Sequence, residues 1–135
     1  MLNDAAGFKR IFIAAGYTDL RRGIDGLAGI VQYQFELDLH NKDTIFLFCG
    51  RKNDRIKALL WEGDGFLLMY KRVEEGSFKW PRNVTEALEI NGQQFEQLMK
   101  GFEIIAKRPI KPQDNPGTLI ESYQYQLLCD EGFKT

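Results

Sequence analysis

Residues 44–81 read TIFLFCGRKNDRIKALLWEGDGFLLMYKRVEEGSFKWP, and the fold turns on them. Ile45–Phe48 is an unbroken apolar run of strand length, the pattern of a strand covered on both faces. Arg51, Lys52, Asn53 and Asp54 interrupt it with charge and turn formers. Arg55–Trp61 and Phe66–Val73 then form a long hairpin closed at Glu62-Gly63-Asp64-Gly65, whose glycines supply the positive φ of tight turns. A two-residue turn at Gly63-Asp64 or Asp64-Gly65 and a four-residue loop over Glu62–Gly65 all sort the side chains alike. Strand alternation puts Ile56, Ala58, Leu60, Leu67 and Met69 on one face. Arg55, Lys57, Leu59, Trp61, Phe66, Leu68, Tyr70 and Arg72 take the other. The aliphatic face is expected to be core, and the mixed cationic and aromatic face carries the functional interest. A three-residue loop would undo this sorting.

The flanks complete an α+β domain: a mostly antiparallel sheet of about four to five strands around the hairpin, packed with two helices. Arg10–Ala14 is a strand candidate, and Gly16-Tyr17 turns the chain. Leu20, Ile24, Leu27, Ile30 and Val31 recur at helical spacing, predicting a helix over about 19–35 capped by Thr18 or Asp19. Gly23, Gly26 and Gly29 each cost that helix roughly 0.5–1 kcal/mol, and their stripe suggests close backbone packing. Glu74-Glu75-Gly76 makes a further turn before Ser77–Trp80, where Phe78 and Trp80 alternate up to Pro81. Thr85–Ile90 is a short strand or a turn of helix. Asn91 and Gln94 form a capping box for a helix to about Gly101, with Phe95, Leu98, Met99 and Phe102 as its apolar face. Ile104-Ile105 is a candidate terminal strand. The proline-rich stretch 107–116 suggests an arm, so the domain is expected to span 1–112 and a tail 113–135.

Composition suits one soluble domain: 135 residues, 44% hydrophobic, 27% charged, net charge −1. The charge is uneven. Residues 51–82 hold eight Lys/Arg against five Asp/Glu, and residues 83–135 hold five against eight. A basic region of this size suits a polyanion or a charge-complementary protein, whereas a pI near 5.9 argues against a general DNA binder. Cys49 is expected to pack as a small hydrophobe, and the lone histidine, His40, to sit in a solvated loop. With no signal segment and no long apolar run, the expectation is a cytoplasmic protein with reduced thiols, away from membranes.

No catalytic constellation is visible. The sequence lacks GxGxxG, GxxxxGK[ST], CxxC and HExxH, and offers one histidine as a base. Asp19, Asp25, Asp54 and Asp64 could in principle form a carboxylate metal site, but each has a cap, turn or surface explanation. No enzyme activity, metal, cofactor or small-molecule substrate is therefore expected. What remains is a binding surface: Arg51, Lys52, Arg55, Lys57, Arg72 and Lys79 to neutralise phosphates, with Trp61, Tyr70 and Trp80 as flat faces for bases. Burial against the first helix is the competing expectation for Trp61, Phe66 and Leu68.

Four ordered blocks also resemble a known family. They are Asp19-Leu20-Arg21-Arg22-Gly23-Ile24-Asp25-Gly26-Leu27, Phe46–Lys57 with Gly50-Arg51-Lys52-Asn53-Asp54-Arg55, Trp61–Phe66 with Tyr70-Lys71-Arg72, and Phe78-Lys79-Trp80-Pro81. Together they resemble the TnpB accessory protein, the second open reading frame, of the insertion-sequence sixty-six family of bacterial transposons, over roughly residues 9–112. The resemblance implies a non-catalytic helper in DNA transposition, encoded beside a separate transposase. The partners it implies are DNA at transposon ends, the transposase or another accessory protein. A pure protein–protein adaptor is the alternative, and a metal-dependent nuclease a more distant one. The resemblance brings no residue-level site.

Overall fold

The structure, a computed structural model, describes residues 7–104, and its architecture belongs to a compact unit that ends at Glu103. The expectations for residues 105–135, Cys129 and the proline-rich arm included, lie outside the described residues.

Five strands form one sheet: β1 (Arg10–Ala14), β2 (Thr44–Cys49), β3 (Arg55–Trp61), β4 (Phe66–Arg72) and β5 (Ala87–Ile90), in the order β4-β3-β2-β1-β5. The β1–β2 pair is parallel and the other three are antiparallel, giving the expected mostly antiparallel α+β sheet. β2 is central and buried at all six positions, as its unbroken apolar run requires. Of the stretch Thr85–Ile90, the last four residues form the strand β5, whose Glu89 takes a bidentate ion pair from Arg10 of β1 at 2.9 Å.

Two faces of the sheet have separate cores. On the first, Phe12, Ala14, Phe46, Phe48 and Leu59 pack with Leu27, Val31 and Leu39, and the Phe12 and Phe46 rings stack 5.6 Å apart. By alternation Ile11, Ile13, Ile45, Leu47, Ile56 and Ala58, all buried, point to the second face. Phe78, Trp80, Phe95 and Leu98 are buried outside the first cluster. The expected strand over Ser77–Trp80 is instead an extended segment without a ladder, held by Phe78 N–H donating to the Asn53 carbonyl at 2.7 Å.

The first helix departs from expectation. Neither Thr18 nor Asp19 caps it: Asp19 accepts from Arg21 N–H at 3.0 Å within a separate turn that closes at Arg22, and the residue at the helix N-cap is Gly23, with no side-chain bond. Gly23 is extended, and α1 (Ile24–Gly29) begins only after it, passing into a π-helical turn (Ile30–Gln34). Three glycines in seven residues weaken a continuous helix enough for it to break at the first of them. Nor does the glycine stripe bring in another backbone: a Cβ at Gly23 or Gly29 would meet nothing within 4 Å, and one at Gly26 would meet only the Arg22 side chain, at 3.0 Å. The second helix follows the sequence closely. In α2 (Gly92–Met99) Asn91 and Gln94 form the reciprocal capping box, at 2.7 and 2.9 Å. Phe95 and Leu98 are buried, while Phe102, expected on that face, lies past the helix end and is exposed.

Candidate nucleic-acid interface

The β3–β4 register sets the chemistry of the exposed surface. Arg55 faces Arg72, Lys57 faces Tyr70, Leu59 faces Leu68 and Trp61 faces Phe66, so all eight side chains share one side of the sheet. The loop geometry that fixes this is Glu62 N–H donating to the Gly65 carbonyl at 2.8 Å, with Gly63 at φ +98. The side is then divided. Phe66 and Leu68 pack against the helix-side cluster around the buried Leu59, and α1 lies over β3 and β4 there. Beyond that cover, at the basic end, the strands remain open.

That open end is one side of a groove of about 720 Å³. Arg55, Lys57, Leu68 and Tyr70 line it from the sheet, Tyr17–Arg21 and Gly50–Lys52 from connecting segments. The connections are fixed by backbone bonds: Thr18 N–H donates to the Cys49 carbonyl at 2.9 Å, and Gly16 N–H to the Pro81 carbonyl at 2.8 Å. Gly16 sits at φ +83, where an added Cβ would come 3.1 Å from the Val84 carbonyl oxygen, so the turn into the groove requires glycine.

The cations in the groove fall into two kinds. Arg21 and Arg55 are committed to carboxylates, Asp19 at 2.8 Å and Asp54 at 2.9 Å. The Arg21 hydrogen bonds hold the Asp19 carboxyl well below the usual carboxylate range, and Arg55 lowers Asp54 in the same way. Arg51, Lys52 and Lys57 pair with no carboxylate among the described residues. Arg51 lies 4.5 Å over the Tyr17 ring and donates to its hydroxyl at 2.7 Å. Lys57 sits 5.7 Å from the Tyr70 ring centroid and donates to the Arg22 carbonyl at 3.1 Å. Two half-exposed tyrosines thus carry cations that no described carboxylate pairs with, inside one groove.

Four expected site residues are not brought to the groove. Trp80 is 4% exposed and its indole N–H donates to the Ala14 carbonyl at 2.9 Å, so it offers no face to a base. Lys79 is exposed between the buried Phe78 and Trp80 and does not line the groove. Arg72 shares the face of Arg55 but pairs with Glu74 at 3.3 Å outside the groove. Trp61 lies at the far end of the hairpin, half-buried edge-on to Phe66 and His40, with centroids 4.9 and 4.7 Å apart.

Two contributors escaped the sequence reading. Tyr17 looked like a turn residue, and only the fold carries it beside Arg51. Arg82 is half-buried: its guanidinium donates to the carbonyls of Gly16 and Gly50, at 2.6 Å to the latter, and to the Asn53 side chain. It staples the two connections that line the groove. Nothing local in the sequence marks either role. The described residues contain no group of three His, Cys, Asp or Glu placed to hold a metal ion, and no helix long and apolar enough to cross a membrane.

The family described as IS66 Orf2 like protein matches residues 9–109. The chain belongs to this family. Every groove residue and all four sequence blocks lie inside the matched span. Two relatives come from Sinorhizobium fredii (strain NBRC 101917 / NGR234). The uncharacterized protein y4jC is 32% identical over 104 residues, covering 76% of this chain and 88% of the relative. The uncharacterized protein y4hO is 35% identical over 95 residues, covering 70% and 81%. No solved structure gives a significant match. IS66 Orf2 membership suggests an accessory role in transposition.

Proposed function

We propose that this IS66 Orf2 protein is a non-catalytic accessory factor that holds DNA during transposition, with the groove between Tyr17 and Tyr70 as its phosphate-binding surface. One observation supports the reading above the others: Arg51, Lys52 and Lys57 line a single open groove, and among the described residues none of them forms an ion pair with a carboxylate. Phosphate supplies the missing charge, and each neutralised phosphate releases a counter-ion. With about three such contacts, affinity for labelled DNA falls roughly 20–40-fold between 50 and 200 mM salt. Arg51→Glu combined with Lys52→Glu, both exposed turn positions, abolishes most of that binding while the thermal melt stays in place. Absence of binding at 50 mM salt refutes the reading.

A protein adaptor for the transposase is the second reading. The Tyr17–Arg51 pair favours it, because exposed tyrosine and arginine are common anchors of protein interfaces. Co-purification with the transposase from nuclease-treated lysate, lost on Arg51→Glu in a chain that never binds DNA, establishes this reading in place of the first.

A further inference from the structure

Resting on the DNA reading, we infer that the groove takes a single strand, stacking unpaired bases on Tyr17 and Tyr70 with the phosphates on Arg51, Lys52 and Lys57. The major groove of a duplex is read by an inserted helix or a two-stranded ribbon. Neither is free here. The helix near the groove, α1, has six residues and buries Leu27 against the sheet. The β3–β4 ribbon is bonded along β3 to β2, and Leu59, Phe66 and Leu68 of its mixed face pack in the helix-side cluster. A duplex could meet this surface only at its rim, where Arg21, Arg51 and Lys52 are exposed, and would leave the half-buried Lys57 unused. A volume of about 720 Å³ belongs to the class that houses small ligands, roughly 300–1,000 Å³, and is nucleotide-sized.

The aromatic groups suit the same ligand. Tyr17 is 51% and Tyr70 54% exposed, which leaves ring surface open on both sides of the groove. Each ring is associated with a cation, Arg51 lying 4.5 Å over Tyr17 and Lys57 5.7 Å from the Tyr70 centroid, so a phosphate contact and a stacking face stand side by side. Base stacking on such groups tolerates any sequence, because every base has a π face. A concave basic track with flat walls is the arrangement of single-strand binders.

The test is fluorescence anisotropy with a labelled mixed-sequence 12-mer, single-stranded and as its duplex, at equal salt. The single strand is expected to bind at least tenfold more tightly. Tyr70→Ala weakens it roughly 5- to 100-fold and leaves the salt slope unchanged, whereas Arg51→Ala reduces that slope by about 0.7, one phosphate contact. Tyr70→Phe retains wild-type affinity, since the ring and not the hydroxyl is used. Equal or tighter duplex binding overturns the single-strand inference and leaves the DNA reading in place. Single-strand preference untouched by Tyr17→Ala and Tyr70→Ala overturns the stacking assignment. Failure of both forms to bind at low salt removes the DNA reading and this inference together.

Discussion

Arg82 shows how much one side chain can organise. Its planar fork reaches acceptors on two connections, 32 and 66 residues away in sequence, and also contacts the Cys49 sulfur at 3.7 Å. Arg82→Met leaves those acceptors without their donor in a half-buried site and is expected to cost about 2–3 kcal/mol in urea unfolding. Arg82→Lys recovers only part, because a point ammonium cannot span the fork. Cys49 beneath it is fully buried, and burial pushes its thiol up to about 11, with Arg82 pulling the other way. The neutral thiol is therefore the form that the fold favours. Its contribution is complete below pH 9, the ordinary thiol value, and is lost as pH rises from 9 towards about 11. Urea melts across that range should show wild type losing stability faster than Cys49→Ala, so that its advantage over the variant shrinks as pH rises.

At the scale of elements, legibility followed the range of the forces involved. The capping box of α2 is wholly local, two side chains and two backbone N–H groups within four residues, and Asn91-x-x-Gln94 announced it. Asn91→Ala is expected to cost about 0.5–2 kcal/mol, read as a lower melting temperature, because the Gln94 N–H loses its acceptor. The hairpin was legible for a related reason: alternation and a glycine-bearing loop determine which residues share a face before any tertiary contact forms. The first helix was not. Its apolar spacing was genuine, since Leu27 and Val31 are buried as that spacing requires. But Gly23 ends the turn that Asp19 begins, and spacing alone does not report where backbone continuity fails. Trp80 failed as a site residue by the converse route. An aromatic flanked by Lys79 and Pro81 resembles an exposed anchor in sequence, and only the Ala14 carbonyl it finds in the fold makes it core.

For the molecule as a whole, the groove's positive charge is a local feature on a chain of net charge −1. This separates two effects that salt usually mixes. Long-range steering depends on the summed field of the protein, and here that field is close to neutral beyond a Debye length of about 8–10 Å. Contact energy depends on Arg51, Lys52 and Lys57 meeting phosphate at hydrogen-bond range, where counter-ions are displaced whatever the distant charge. Salt should therefore act mainly after the strand has arrived. Stopped-flow anisotropy between 50 and 200 mM salt is expected to show the association rate constant falling only a few-fold. Most of the roughly 20–40-fold affinity loss should appear as faster dissociation. Were association to carry most of the loss, the attraction would have to come from a field wider than this groove, and Arg51, Lys52 and Lys57 would not be its source.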